Sequence, residues 1–125
     1  MKAQGSQLRL IKEDTKYEPS TTVVLASRKA HIRDLVTQLE EALANVEYDS
    51  VKVLGCEDTM TKAITVVEIV KRKGFEGGLS QQTQIYRRDF RYQGEDGEVT
   101  VKKKACIEIT IRRVTSAGAG GDTDM

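Results

Sequence analysis

Residues 51–74, VKVLGCEDTMTKAITVVEIVKRKG, read as a strand, a turn and a helix in immediate succession. The strand-like VKVL ends at Gly55 and runs into an acidic turn. Beyond the turn, Met60, Ala63, Ile64, Val67 and Val70 recur at spacings of three and four, which places them on one helical face. Asp58 or Thr59 suits the N-cap, where a side-chain oxygen accepts a free backbone N–H. Lys71, Arg72 and Lys73 complement the negative end of the helix dipole, and Gly74 suits a left-handed stop. A strand followed by a helix is half of a β-α-β unit, so the flanking segments are expected to complete it.

The flanks have that pattern. Thr21 to Ala26, TTVVLA, is a β-branched run that suits a buried strand. After Ser27, Arg28 and Lys29, the apolar positions Ile32, Leu35, Val36, Leu39, Ala42 and Leu43, closing with Val46, define a helix. Its other face carries Arg33, Asp34, Gln38, Glu40 and Glu41. Past Gly74 the turn FEGGLS leads to a long strand from Leu79 to Tyr92 with few core-type residues. The polar turn QGEDGE then leads into Val99 to Val114, where Val101, Ala105, Ile107, Ile109 and Ile111 alternate with Lys102, Lys104, Glu108, Thr110 and Arg112.

The expected order is β-α-β-α-β-β, an α/β chain of the two-layer α+β kind. Right-handed crossovers put both helices on one face of a four-stranded mixed sheet, with a long hairpin made by its last two strands. The other sheet face is left without a helix, and a second subunit is the natural cover. The domain is expected at 21–114. Residues 1–20 form a flexible N-terminal arm in which Leu8 and Leu10 alternate as in an added edge strand. Residues 115–125, small and acidic, form a disordered tail.

Composition narrows the function classes. A chain of 125 residues with 38% hydrophobic content supports one domain, and its net charge of +1 announces no polyanion by itself. There is neither an apolar run near 18 residues nor a cationic-then-apolar leader, so neither a membrane span nor a secretory signal is expected. Cys56 and Cys106 lie in no metal-ligand spacing and are too few for a disulfide framework, which reads as reduced thiols in the cytoplasm or nucleus. No nucleophile–base pair or metal cluster stands out, so no catalysis, metal, cofactor or small-molecule substrate is expected. The charge is uneven, however: residues 79–114 hold eight Lys and Arg against five Asp and Glu.

That surplus falls on the hairpin, whose strands exceed the usual five or six residues and whose outer part should project. The projecting part holds Tyr86, Arg87, Arg88, Phe90, Arg91 and Tyr92 on one strand and Lys102, Lys103 and Lys104 on the other. A basic two-stranded ribbon fits a nucleic-acid groove, and its aromatics can stack on unpaired bases. The alternative is a solvated edge hairpin that uses charge against aggregation, and the tip acids Glu95, Asp96 and Glu98 favour it. Arg28 and Lys29 form a second cationic feature, at the start of a helix whose dipole is already positive there. An anion at the first-turn N–H groups would relieve the conflict, unless both side chains simply point to water. Lys62, one turn into the later helix, is either a solvated lysine or a phosphate ligand. His31 reads as an ordinary helix-surface histidine, and Gly77-Gly78 as a turn without the GKS or GKT of a phosphate loop.

Three of these stretches resemble the Alba family of small chromatin- and RNA-associated proteins. TVVLASRKA resembles its first strand and two-cation loop, MTKAITVVEIVKRKGF its second helix, and KKKACIEITIRR its last strand. The resemblance covers about residues 20–113 and implies the same β-α-β-α-β-β order. It also implies a homodimer or heterodimer whose hairpin arms straddle the nucleic acid, with Arg28 and Lys29 on the backbone at its centre and Lys62 and the arm cations adding to the surface. This chain departs from the family pattern between Gly55 and Lys62, where it carries about two additional residues. There Glu57 and Asp58 replace neutral or basic residues, which weakens the central site. An Arg-Gly-Gly tail is absent. The pattern resembles a eukaryotic RNA-associated member more than an archaeal chromatin protein. RNA is therefore the expected partner, with DNA second, and the expected role is coating or bridging transcripts to affect their stability or translation. The rival is an assembly subunit whose paralogue makes the main RNA contacts.

Overall fold

The computed structural model describes residues 9–10, 20–75 and 77–114. Most of the expected N-terminal arm and the whole of the expected tail lie outside the described residues. In chain order the elements are β1 (Arg9–Leu10), β2 (Thr21–Leu25), α1 (Ile32–Ala44), β3 (Ser50–Cys56), a 3-10 turn (Glu57–Thr59), α2 (Met60–Lys73), β4 (Leu79–Gln93) and β5 (Val99–Arg113). The four expected strands form a mixed sheet in the order β4-β5-β3-β2, and β1 adds two residues outside β4. β2 and β3 are parallel neighbours joined through α1. β5 lies antiparallel between β3 and β4, so the connection through α2 crosses over it.

Strand alternation and the register explain where the core lies. Val24, Val51, Val53, Ile107, Ile109 and Ile111 share the face that meets the helices. They pack against Leu35, Val36, Leu39 and Leu43 of α1 and Ala63, Val66, Val67 and Val70 of α2. Val66, which the expected α2 face did not include, is fully buried, whereas Ile64 is 43% exposed. α1 and α2 pack against each other as well as on the sheet. Two contiguous four-residue rows explain this, since each helix needs a face wide enough for both neighbours. Val46 lies beyond the end of α1 and is exposed.

The helix ends depart in detail from the expected caps. Thr59 stands at the N-cap of α2, but its Oγ1 accepts the amide of Cys56 and donates to the Cys56 carbonyl, so it closes the 3-10 turn instead. Gly74 does take a positive φ, +85°. α1 begins later than Arg28 and Lys29, at Ile32, with the exposed His31 as its N-cap. The two cations therefore belong to the preceding loop and not to the first helical turn. Arg113, the last residue of β5, donates to the carbonyls of Leu43 and Tyr48 and so satisfies the C-terminal end of α1.

The expected reduced thiols are a correction. Cys56 and Cys106 are directly paired across β3 and β5, with Cα atoms 4.1 Å apart, and their sulfurs form a disulfide. A separation of 50 residues hides this pairing in the sequence, because only the register of two non-adjacent strands brings the residues together.

Candidate nucleic-acid interface

β3 ends at Cys56, but β4 and β5 continue as a two-stranded arm. Seven residue pairs, from Arg87 with Ala105 to Gln93 with Val99, extend past the Cys56–Cys106 pair. At about 3.3 Å per residue the arm reaches roughly 20 Å beyond the body. Its loop turns at Gly97, where φ is +88°. β1 pairs with the outer end of β4, Arg9 opposite Gln93 and Leu10 opposite Tyr92, so part of the N-terminal segment forms a third strand at the tip.

Alternation divides the arm residues between two surfaces. Ile85 and Ile107 face the helix side, so Tyr86, Arg88, Phe90 and Tyr92 face the other way, with Lys102 and Lys104 opposite them on β5. Arg87, Arg91 and Lys103 stand on the helix side. Lys103 is tied there to Asp89 at 3.0 Å. The expected basic ribbon is thus not one surface. The helix-free side is a ladder in which cations and rings interleave: Arg88 and Lys104 lie over Phe90, and Lys102 and Lys104 over Tyr92, each 5.3 Å from the ring centroid.

The early loop meets this ladder at the base of the arm. Leu25 to Arg28 and the turn from Cys56 to Thr59 face Phe90, Tyr92 and Lys104 across an open cleft of roughly 670 Å³. Arg28 lies in the cleft, paired with Asp58 at 2.6 Å, and both side chains are more than half exposed. Lys29 is exposed and has no ion-pair partner among the described residues. Glu57 leaves β3 in the left-handed region, with φ +54°, and its Oε2 accepts the amide N–H of Ala105 at 2.9 Å. β3 stops one residue short of that N–H, and the carboxylate satisfies it.

Lys62, which the sequence left as either a solvated lysine or a phosphate ligand, is engaged within the fold. Its ammonium donates to the carbonyls of Ser27, Arg28 and Ala30 at 2.9, 3.0 and 2.8 Å, which uses all three donors. It holds the loop that carries Arg28 and Lys29. Replacing it with methionine is expected to cost about 2 kcal/mol in stability, the scale of hydrogen bonds to a charged group. Amide exchange across residues 27–31 should accelerate in the same variant. Unchanged exchange would show that the loop does not depend on Lys62.

Among the described residues no group of three or more His, Cys, Asp and Glu side chains could hold a metal ion, and no helix is long and apolar enough to cross a membrane. The signal that sequence reasoning missed was parity: counting alternate residues outward from Ile107 separates Arg87, Arg91 and Lys103 from the aromatic side.

The Alba family model matches residues 22–88. The solved structure of Alba from Thermoplasma volcanium is similar to this chain at 22% identity, covering 73% of this chain and 99% of the other, with a TM-score of 0.49. No curated protein matches.

Proposed function

The chain belongs to the Alba family, whose members bind nucleic acids, and from that premise we propose that it is a non-enzymatic RNA-binding protein. The observation that carries this reading is the ladder of Arg88, Phe90, Tyr92, Lys102 and Lys104 on the helix-free side of the arm, which meets Arg28 at its base. Cations grip phosphates without regard to sequence, and ring faces stack on bases that a duplex would keep paired. The combination favours single-stranded RNA over duplex DNA, which is the second candidate. Lys29 and the arm cations Arg87, Arg91 and Lys103 supply further phosphate contacts, and Lys62 positions the loop.

The chain acts as a homodimer or as a heterodimer with a paralogue, so that two arms embrace one strand and coat or bridge transcripts. This would bear on their stability or translation in the cytoplasm, with the nucleus as a second compartment. The disulfide gives no support to a reducing compartment.

Charge reversal at Arg28 and Lys29, as R28E with K29E, is expected to lower RNA affinity at least about tenfold while thermal unfolding is unchanged, because both side chains are exposed. For the native chain, log affinity should fall with log salt by about 0.7 per phosphate contact on single strands. Unchanged binding by the double variant would remove the loop from the site.

The Arg28–Asp58 pair favours a second reading, in which the partially neutralised loop leaves the main RNA contacts to a paralogue. Filter binding with the purified chain alone separates the two: micromolar affinity supports the first, silence the second.

A further inference from the structure

The cleft at the base of the arm holds more than a phosphate grip requires. Two carboxylates, Glu57 and Asp58, line it together with the rings of Phe90 and Tyr92. The backbone takes a φ rarely adopted by a non-glycine residue to place that turn. Glu57 is committed to the Ala105 amide. Asp58 meets Arg28 and remains 57% exposed. With Arg28 and Lys104 also lining it, the cleft carries as many cations as carboxylates, which suits a neutral, donor-rich group better than a phosphate.

We propose that this cleft receives a guanine base of single-stranded RNA, an inference that rests on the RNA-binding reading above. Guanine alone among the four bases carries two adjacent donors, N1–H and the N2 amino group, on its Watson–Crick edge, followed by the acceptor O6. A carboxylate accepts two donors side by side, and a neighbouring guanidinium donates to an acceptor. The Arg28–Asp58 ion pair offers those functions next to each other and need not break to do so. Adenine, cytosine and uracil each bring at least one lone pair against the carboxylate, which costs an unsatisfied contact. Phe90 and Tyr92 line the cleft, and the base stacks on their rings by displacing the Lys104 ammonium that lies over both. The cleft's volume falls within the range of ligand sites, about 300–1,000 Å³. In a duplex the same edge of guanine is occupied by its partner base, so the cleft selects unpaired RNA.

The test is fluorescence anisotropy at one salt concentration with a short oligouridine carrying a single central guanine, adenine, cytosine or hypoxanthine. The guanine oligomer is expected to bind about tenfold tighter than the adenine and cytosine oligomers, the scale of one bidentate base contact. Hypoxanthine, which lacks the N2 amino group, should fall between them. Asp58→Asn, isosteric and at an exposed position, should bring all four within about twofold of one another. Equal binding of the four oligomers by the native chain overturns the guanine cleft and leaves the RNA-binding reading standing. Absence of binding to every oligomer overturns both. A guanine preference undiminished in Asp58→Asn overturns the assignment to this carboxylate.

Discussion

Substituting alanine for Gly55 is expected to lower the unfolding free energy by about 3 kcal/mol, at the upper end of the usual overpacking cost. A methyl group there would lie 2.5 Å from the carbonyl oxygen of Thr59 and 3.0 Å from the Ala63 Cβ. Neither neighbour is the free end of a flexible side chain. The Thr59 carbonyl belongs to the turn closed by its own hydroxyl, and Ala63 is fully buried in α2. Relief therefore requires α2 to move off β3, which would disturb the packing of Val66 and Val67 on the sheet. The urea midpoint should fall with little change in its slope. Because the turn from Cys56 to Thr59 also walls the cleft, RNA affinity should fall in the same variant even at temperatures where it remains folded. A midpoint within experimental scatter of the native chain would show that β3 and α2 are not held as closely as described.

The second large effect concerns binding. The double variant F90A with Y92A is expected to lose at least about thirtyfold in affinity for single-stranded RNA, since stacking contributes about 1–3 kcal/mol per base. Thermal stability should barely change, because both rings stand on the arm and neither belongs to the buried cluster. The comparison that gives the result its meaning is R87A with R91A. Those side chains occupy the opposite surface of the same strand, and their removal should produce a smaller loss that diminishes as salt is raised. If the arginine pair proves the costlier, RNA lies on the helix side of the arm and the aromatic ladder is structural.

The architecture was legible because its signals are local. The 3-4 spacing of Leu35, Val36, Leu39 and Leu43 and the two-residue spacing of Ile107, Ile109 and Ile111 each report a buried face within a dozen residues. The site was legible only as an inventory. Arg28 and the arm cations were identifiable as residue types, but which of them share a surface depends on strand parity, and which are spent depends on contacts across the fold. Lys62 illustrates the second limit. A lysine at the first turn of a helix carries no mark that three carbonyls 32–35 residues earlier will engage it. The Arg28–Asp58 pair and the cysteine pair are of the same kind, joining segments 30 and 50 residues apart. The aromatic ladder was nearer to hand: Arg88, Phe90 and Tyr92 are alternate residues of one strand, and a count from Ile85 would have put them together.

The disulfide between Cys56 and Cys106 sits at the point where the arm leaves the body. An unsupported ribbon would hinge there, since the sheet narrows abruptly from three strands to two. The cross-strand cysteine pair at the fulcrum, with the Glu57 carboxylate clamped on the very next stretch of β5, moves bending outward along the arm. The arm should therefore behave as a beam held at its root and braced again where β1 pairs with Tyr92 and Gln93, so that flexing concentrates in the two-stranded stretch between them.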